Sequence, residues 1–286
     1  MKQINYTGQV WICFFGMNRS LSKTQASIQQ NILDPLIKLG WRYHTLAAFM
    51  HINGNFSNRH SGEENVSIEV NGHEKLGINL YKHIKQDLFD YSFDWDSVNT
   101  HGDAWGDDFQ STKNLCRALH SLEKVTEFWH GQAGPNDLFI YLRPDMIYHD
   151  PFPFEEFARK LQQHGEKLLI TPDWALYNGL NDRFAIMGRA AAETYGFRLQ
   201  LISDYFKQLK SPLHAERLLK FVAEKNHLRF QGNFTEIRAS RVRANGAVVH
   251  ESFAPQSSLL ARILTRIKGK ENVEKARAVK LPYGGL

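Results

Sequence analysis

The first fifty residues constrain the fold most, because they hold a strand, a glycine turn, a helix and a second strand in succession. Residues 9–15 form a run of β-branched and aromatic side chains that ends at Gly16. Residues 20–40 place apolar side chains at helical spacing between serines that can cap a helix and a closing glycine. Residues 42–50 have the pattern of a second strand. This order predicts the opening of a parallel α/β sheet, because parallel strands need a helical crossover between them.

The remainder of the chain continues the alternation of helices and strands. Residues 110–130 carry an apolar stripe at helical spacing, and residues 137–142 form an apolar run that stops at Arg143. Further helices are predicted within residues 155–165, 189–209 and 212–226, and further strands within residues 167–174 and 183–188. We expect a polar loop at residues 51–75, or a small insertion with a short strand at 66–70, and another loop at 87–108.

Length and charge favour one domain with a basic extension. The chain has 286 residues and no stretch typical of a linker, so we predict a single Rossmann-like α/β domain over residues 1–260, with a mainly parallel central sheet flanked by helices. Residues 261–286 hold seven Lys or Arg and two Glu, which accounts for the whole net charge of +5. The rest is neutral, which argues against a nucleic-acid partner. The helical, basic extension either lies in solvent or contacts an acidic partner or anionic lipid at a membrane surface.

The cysteines and the short apolar runs predict a cytoplasmic protein. Cys13 and Cys116 are too few for a disulfide framework and have apolar neighbours, so we expect buried reduced thiols. No stretch reaches the roughly 18 apolar residues that span a bilayer. The apolar run near the N-terminus has no small-residue cleavage site after it, so we interpret it as a core strand and not as a signal peptide.

A polar turn follows the first predicted strand, at the edge where parallel sheets bind ligands. It contains Gly16, Asn18, Arg19 and Ser20, and Thr24 follows on the helix. Free N–H groups at a helix start favour an anion, and a guanidinium can bind phosphate through two hydrogen bonds. The sequence therefore predicts a phosphate site here. The alternative is a surface arginine beside serines that only cap the helix.

An Arg-Pro-Asp triplet, from Arg143 to Asp145, directly follows the central predicted strand. A carboxylate at this strand end is expected to face the same crevice, where an oxygen ligand suits Mg²⁺ or Mn²⁺ bound to a diphosphate. Arg143 has two alternative roles, which are to neutralise phosphate directly or to pair with Asp145 in a structural turn.

A third group of polar and aromatic residues follows the strand at 167–174. It consists of Asp173, Trp174, Tyr177, Asn181 and Asp182. Two carboxylates on one loop with aromatic rings for stacking suit a polar, ring-shaped acceptor such as a sugar. We expect Asp182 to accept the proton of the attacking hydroxyl, and Asp173 to orient the sugar ring. The alternative is a turn salt bridge between Asp182 and the next residue, with Trp174 in the core.

The order of these pieces resembles the nucleotide-sugar glycosyltransferases of the GT-A type, especially small bacterial enzymes of polysaccharide assembly. In that arrangement a first strand and a turn like residues 16–20 hold the nucleotide, and a later strand ends in an acidic motif, as residues 137–145 do here. The resemblance covers residues 8–200. It implies a GT-A-type domain that transfers a sugar from a nucleotide-sugar co-substrate to a hydroxyl of a glycan or a lipid-linked acceptor.

The chain departs from the GT-A pattern at the metal motif. The usual motif has two aspartates that flank one residue, whereas here Arg143 replaces the first of them. Two interpretations follow. Asp145 is a lone ligand for Mg²⁺ or Mn²⁺, or Arg143 takes over part of the metal's role.

Two other functions compete with this interpretation. Residues 16–24 also look like the phosphate-binding turn of sulfotransferases that use a 3′-phosphoadenosine donor. A sugar- or nucleotide-binding protein without catalytic activity is the third hypothesis, because a fold does not imply an activity.

Overall fold

The computed structural model describes residues 6–58, 61–68, 72–234 and 237–254, and it confirms a mixed α/β fold with a mainly parallel central sheet flanked by helices. Its strands are, in chain order, β1 (Val10–Met17), β2 (Tyr43–His51), β3 (Phe56–Asn58), β4 (Glu63–Val66), β5 (Leu80–Lys85), β6 (Leu138–Leu142), β7 (Met146–Tyr148), β8 (Leu168–Pro172), β9 (Phe184–Met187), β10 (Arg229–Phe234) and β11 (Ala239–Arg241). The predicted basic extension, residues 261–286, lies outside the described residues, as does its boundary at residue 260.

The helices cover both faces of the sheet. They are α1 (Leu21–Ile28), α2 (Asp34–Leu39), α3 (Gln86–Ser92), α4 (Trp95–Asn99), α5 (Gln110–Trp129), α6 (Phe154–His164), α7 (Arg189–Gly196), α8 (Ile202–Leu209) and α9 (Ala215–Lys225). Apolar side chains of α5, α7, α8 and α9 share one hydrophobic core with one face of the sheet, and those of α1, α2 and α6 share a second core with the other face. Within the described ranges, no helix combines the length and the apolar character needed to cross a membrane.

The central sheet has seven strands in the order β10-β8-β9-β6-β1-β2-β5. β1 pairs in parallel with both β2 and β6, and β9 is the strand that runs antiparallel to its neighbours β6 and β8. The sheet therefore grows from β1 towards β5 on one side, and towards β10 on the other. Open α/β sheets bind ligands outside the carboxyl ends of the strands where the order reverses in this way. Here that point lies at the ends of β1 and β6.

The first crossover is helical over its whole length but changes its winding in the middle. A π-helical segment, Gln29–Leu33, separates α1 from α2, and Pro35 lies in the first turn of α2. Proline lacks the N–H group that would close a regular α-helical turn, which accounts for the irregular winding before it. Gly40 ends α2 with a φ of 68°, a left-handed conformation that glycine adopts without strain. The helix predicted over residues 20–40 is thus confirmed, with one irregular turn.

Cys13 and Cys116 are both buried and free, as the sequence predicted. They belong to the same hydrophobic core, Cys13 on β1 and Cys116 on α5. Burial raises the pKa of Cys116 to about 12, so this thiol is protonated at neutral pH.

Two segments differ in detail from the sequence prediction. Residues 51–75 contain short strands, as in the predicted alternative of a small insertion, but at the positions of β3 and β4 rather than over 66–70, and residues 87–108 are not a simple loop. Residues 51–75 contain the antiparallel hairpin of β3 and β4, and β4 ends at Val66, whereas residues 69–71 are outside the described ranges. Residues 87–108 contain most of α3 and all of α4. Polar helices this short present too few apolar residues for the helical period to be visible in the sequence.

A buried serine fastens α5 to the central strands. The hydroxyl of Ser121 donates to the Ala48 carbonyl at 2.6 Å and accepts from the Gly16 N–H group at 2.7 Å. Replacing Ser121 with alanine removes both of these buried hydrogen bonds, which costs about 1–3 kcal/mol. We expect Ser121→Ala to lower the free energy of unfolding in urea by that amount.

Ser92→Ala serves as the control, because Ser92 is exposed at the end of α3 and donates only to a carbonyl within its own helix. Its free energy of unfolding should stay within about 0.5 kcal/mol of the parent. Equal effects of the two substitutions would contradict a bridging role for Ser121.

Candidate functional site

Two arginines, one after β1 and one after β6, donate hydrogen bonds to the same carboxylate and thereby connect the ends of the two strands. Arg19 follows β1, and its Nη2 and Nε atoms donate to Oδ2 of Asp145 at 2.6 and 3.0 Å. Arg143 follows β6 and donates to both carboxylate oxygens of Asp145 at 3.0 Å. Sequence analysis predicted each of these three residues for the donor site, and the structure brings them together at the switch point of the sheet.

The charge of Asp145 is stabilised by these neighbours. Burial alone would raise the pKa of Asp145, which is 1% exposed, but the positive charges of Arg143 and Arg19 outweigh burial and hold the pKa well below its usual value. In turn, burial would lower the pKa of Arg143, and the adjacent Asp145 raises it instead. Asp145 is therefore ionised, and it accepts hydrogen bonds with both oxygens.

Three further arginines complete a cationic group that we call the arginine cluster. Its members are Arg19, Arg143, Arg183, Arg241 and Arg243. Burial lowers the pKa of Arg241 well below its usual value, and repulsion from Arg183, Arg143 and Arg19 adds to the effect. Shared carboxylates show the proximity of three members: Arg19 and Arg143 both donate to Asp145, and Arg19 and Arg243 lie 3.4 and 3.9 Å from Glu63.

The C-terminal arginines are brought to the site by main-chain pairing. Strand β11 runs antiparallel to β7 and places Arg241 opposite Met146, directly after Asp145. The Val242 N–H group donates to the Asp145 carbonyl at 2.8 Å, and Ser20 donates to the Val242 carbonyl at 3.0 Å. The segment after β11 is thus attached to both central strand ends.

Glu63, on strand β4, closes one side of the cluster. Its Oε1 atom accepts from the Ala244 N–H group at 2.6 Å, and its Oε2 atom accepts from the Ser61 hydroxyl at 2.5 Å. Oε2 also lies 3.4 Å from Arg19 and 3.9 Å from Arg243. A carboxylate that accepts from a backbone N–H group and faces two guanidiniums occupies the kind of surroundings that a phosphate group would take.

Several polar atoms at this edge are buried without a hydrogen-bond partner in the described part of the chain. They are the amide nitrogen and oxygen of Asn18 and the Nε atoms of Arg183 and Arg241. Asn18 lies in the turn after β1 and is 4% exposed. Orphaned donors in a buried site are costly unless a ligand or water satisfies them. An anion with several oxygens would satisfy the guanidinium donors.

The remaining residues predicted for the donor site stabilise the turn after β1 by hydrogen bonds inside the protein. Gly16 has a φ of 99°, which favours glycine, and its N–H group donates to Ser121. Ser20 donates its hydroxyl hydrogen to Val242, and Thr24 donates to the Pro144 carbonyl at 2.5 Å. These contacts hold the β1 turn, the Arg-Pro-Asp turn and the segment after β11 to one another.

The loop after β8 has a largely buried first half. Trp174 has no exposed surface, and its Nε1 atom donates to the Ile237 carbonyl at 3.3 Å. Asn181 donates to the Trp174 carbonyl at 2.5 Å and accepts from the Arg183 N–H group at 2.8 Å. Trp174 and Asn181, both predicted to bind an acceptor, thus lie inside the loop and hold its shape.

The two candidate acidic residues differ in their surroundings. Asp182 precedes β9, and because β9 is antiparallel this end lies at the same sheet edge as the arginine cluster. One Asp182 oxygen is 3.5 Å from Nη1 of Arg183, and the charge of Asp182 contributes to the raised pKa of Arg143. Asp173 follows β8 and is 2% exposed, whereas Asp182 is 8% exposed. Asp182 is therefore the carboxylate beside the cluster.

An aromatic group lies on the other side of Arg183. The Tyr177 side chain is 56% exposed, and its ring centroid is 6.2 Å from that of His214. Trp105 stacks on His214 at 4.9 Å, and Nδ1 of His214 is 3.0 Å from Glu216, which is 3.9 Å from Arg183. We call Trp105, Tyr177 and His214 the aromatic group. The sequence predicted such a surface from Trp174 and Tyr177, and the structure forms it with Trp105 instead.

The donor set at Asp145 does not fit a divalent cation. Oδ2 of Asp145 accepts from both Arg19 and Arg143, and Oδ1 accepts from Arg143, so both oxygens that Mg²⁺ or Mn²⁺ would need already face guanidinium groups. In the part of the chain that the structure describes, no three His, Cys, Asp or Glu side chains come together as metal ligands. Asp145 is thus placed as the partner of two cations.

The sequence did not predict Arg241, Arg243 and Glu63 as site residues. A usable signal was present for the two arginines, because they alternate with Val242 in the basic segment of residues 237–243. In a strand, residues two apart point to the same face. Glu63 lies in a polar segment without any pattern, so no signal distinguishes it.

No protein-family model matches the chain, and no curated protein is significantly similar to it in sequence. Among solved structures, it is similar to the mannosyltransferase Ktr4p from S. cerevisiae, with a TM-score of 0.46 and 11% identity over 82% of this chain and 70% of that one. It is also similar to mouse xyloside xylosyltransferase 1, with a TM-score of 0.37 and 12% identity over 78% of this chain and 84% of that one. Values this low carry no argument about activity, which must come from this chain's own residues.

We expect Asp145→Asn to destabilise the protein by about 3–5 kcal/mol, because it leaves two arginines without the charge that compensates them. The folded-state pKa of Asp145 is lowered, so its contribution is complete above the unfolded value of about 4 and is lost as pH falls below it. The difference between variant and parent should therefore be constant from pH 7 to 5 and shrink below pH 4. Urea unfolding at several pH values measures it.

Asp150→Asn is the matched control, because Asp150 pairs with Arg238 on the surface, where an ion pair contributes about 0–1 kcal/mol. A loss for Asp145→Asn as small as that of the control would contradict the central role of this carboxylate.

Proposed function

We propose that this chain is a glycosyltransferase, which moves a sugar from a nucleotide-diphosphate donor to a hydroxyl of a glycan or a lipid-linked acceptor. The observation that carries the proposal is the arginine cluster at the switch point of the sheet, with its unpaired guanidinium nitrogens. An α/β sheet offers its ligand site at this point, and a diphosphate is the ligand whose charge and oxygen atoms suit several guanidiniums.

The cluster would act on the leaving group. Transfer breaks the bond between the anomeric carbon and the β-phosphate oxygen, and the bonding electron pair stays on that oxygen. Guanidiniums fixed near a developing negative charge stabilise the transition state more than the ground state. Arg19 and Arg143 are fixed by Asp145 through the hydrogen bonds described above, so their positions are set before the donor binds.

Asp182 is the proposed base. Its carboxylate lies beside the cluster at the end of a rigid strand, close to the place where the anomeric carbon of a bound donor would be. In an inverting reaction it would take the proton of the acceptor hydroxyl as the oxygen attacks the anomeric carbon. We assign to Asp173, which is more deeply buried behind the same loop, the role of orienting the donor sugar.

The aromatic group is the proposed acceptor surface. Sugar rings pack their C–H faces against aromatic side chains, and Tyr177 is the most exposed ring of this group. Trp105 is held in place by Asp103, whose carboxylate accepts from the N–H groups of Trp105 at 2.9 Å, Asp107 at 2.8 Å and Phe109 at 2.9 Å. The acceptor hydroxyl would then approach Asp182 from the side of Arg183.

The setting that we propose is the assembly of a polysaccharide in the cytoplasm, with residues 261–286 at the membrane surface. It rests on the neutral charge of the preceding residues, the basic extension and the reduced cysteines.

Thermal unfolding with a panel of ligands tests the proposal. We expect UDP- or GDP-sugars, which carry a diphosphate, to raise the unfolding temperature more than CMP-sugars, which carry one phosphate. An acceptor glycan should allow transfer of the sugar, followed by mass spectrometry. Stabilisation by adenosine 3′,5′-bisphosphate alone would instead identify a sulfotransferase. Binding of a nucleotide sugar with neither transfer nor hydrolysis would identify a binding protein.

Asp182→Asn tests the base. The amide keeps the shape of the side chain but cannot accept the proton, so we expect turnover to fall about 10²- to 10⁴-fold while the donor affinity is preserved. Asp87→Asn is the control, because Asp87 is an exposed carboxylate in the first turn of α3. Near-normal turnover of Asp182→Asn would show that Asp182 is a structural residue.

A further inference from the structure

We propose that the arginine cluster binds the diphosphate of the donor without a divalent cation, and that Arg241 supplies the positive charge that a metal ion would otherwise provide. This inference rests on the proposed function and adds to it the way in which the leaving group is neutralised. Its first premise is that the hydrogen-bond donors around Asp145 leave neither oxygen of this carboxylate suitable as a ligand for Mg²⁺ or Mn²⁺.

A cation at Asp145 would have to displace existing partners. Arg19 and Arg143 donate four hydrogen bonds to this carboxylate, at distances of 2.6 to 3.0 Å. Displacing them would leave two guanidiniums at a buried site without a counter-charge, next to the added charge of the metal. Breaking a buried pair in this way is strongly unfavourable.

The neighbouring carboxylates are engaged as well. Glu63 accepts from Ala244 and Ser61, Asp182 lies 3.5 Å from Arg183, and Glu216 lies 3.0 Å from His214. Each of these carboxylates therefore has a donor or a cation beside it in the structure. A hard cation at this edge would therefore have to compete with these donors and cations for each oxygen ligand.

Arg241, in contrast to these carboxylates, is a buried cation that a bound anion would stabilise. Its Nε atom is buried without a hydrogen-bond partner among the described residues, and its positive neighbours are Arg183, Arg143 and Arg19. Burial and repulsion outweigh the attraction of Asp145 and lower the pKa of this guanidinium well below its usual value, and an anion bound at the unpartnered Nε atom would relieve both effects. A residue that is costly without a ligand and favourable with one is typical of a binding site rather than of a structural contact.

The charge balance of the reaction agrees with this assignment. When the bond from the anomeric carbon to the β-phosphate oxygen breaks, the electron pair adds one negative charge to the diphosphate. The acceptor oxygen forms the new bond to the anomeric carbon, and its proton passes to the Asp182 carboxylate. Arg143, which is hydrogen-bonded to Asp145, and Arg241, which lies opposite the next residue, are the guanidiniums that we expect to stabilise the charge that develops on the phosphate.

Arg241→Met separates a ligand-binding role from a structural one. Methionine keeps the length of the aliphatic chain and removes the repelled charge, so we expect the unfolding temperature of the ligand-free protein to stay the same or rise. The affinity for UDP or GDP, measured by calorimetry, should fall about 10- to 100-fold, because one charge-assisted contact is lost. Arg238→Met is the control, since Arg238 lies on the surface and pairs with Asp150. It should leave the affinity unchanged.

The role of the metal is tested in the same titration, with the parent protein in EDTA and again in Mn²⁺ or Mg²⁺. We expect UDP or GDP to bind with dissociation constants that agree within about twofold in the two conditions. Binding that requires Mn²⁺ or Mg²⁺, or an Arg241→Met variant that is less stable yet binds normally, would overturn this inference and leave the proposed function intact. Failure of both nucleotides to bind in either condition would refute the proposed function itself.

Discussion

The carboxylate of Asp145, held between Arg19 and Arg143, is the interaction on which the rest of this edge depends. It links the ends of β1 and β6, the two adjacent strands at which the order of the sheet reverses. Because charged hydrogen bonds are directional, they also set the orientation of both guanidiniums. The hydroxyls of Ser20 and Thr24 and the backbone of Val242 then hold the three segments around this carboxylate.

A cluster of like charges is normally unfavourable in a protein, and here carboxylates of the described residues pair with four of the five arginines. Asp145 forms ion pairs with Arg19 and Arg143, and Glu63 lies beside Arg243. The carboxylates of Asp182 and Glu251 lie 3.5 and 3.6 Å from Arg183. The Nε atoms of Arg183 and Arg241 have no hydrogen-bond partner in the described ranges, and Arg241, unlike Arg183, forms no ion pair with a described carboxylate. Such an arrangement lowers stability, so its explanation is functional. In a site for a highly charged ligand, the guanidiniums have all their partners only when that ligand is bound. The same feature makes an additional metal ion unnecessary in electrostatic terms.

The sequence predicted the fold class and the central pieces of the site, because both depend on local patterns. The run of apolar residues in β1, its glycine turn and the helix after it are visible within thirty residues, and so is the position of Arg143 and Asp145 after β6. Edge strand β5 was missed, since of its residues only Ile84 is buried and the others are polar or exposed. The local composition therefore contains no signal that predicts so exposed a strand.

What the sequence did not reveal comes from distant contacts. Trp174 was expected to stack on a sugar, yet it is buried against Phe253 and the Ile237 carbonyl, because the chain returns over this loop after β10. The same return places Arg241 beside Asp145, almost a hundred residues earlier in the chain. Pairing between segments so far apart follows from tertiary packing, and no local pattern encodes it.

The most direct measurement is a crystal structure of the protein with UDP or GDP bound in the presence of EDTA. The account predicts that the phosphate oxygens lie about 2.7–2.9 Å from guanidinium nitrogens of the arginine cluster, Arg241 among them, with Asp145 still bound to Arg19 and Arg143. A diphosphate bound away from the carboxyl ends of β1 and β6, or one whose phosphates touch no residue of the cluster, would contradict it.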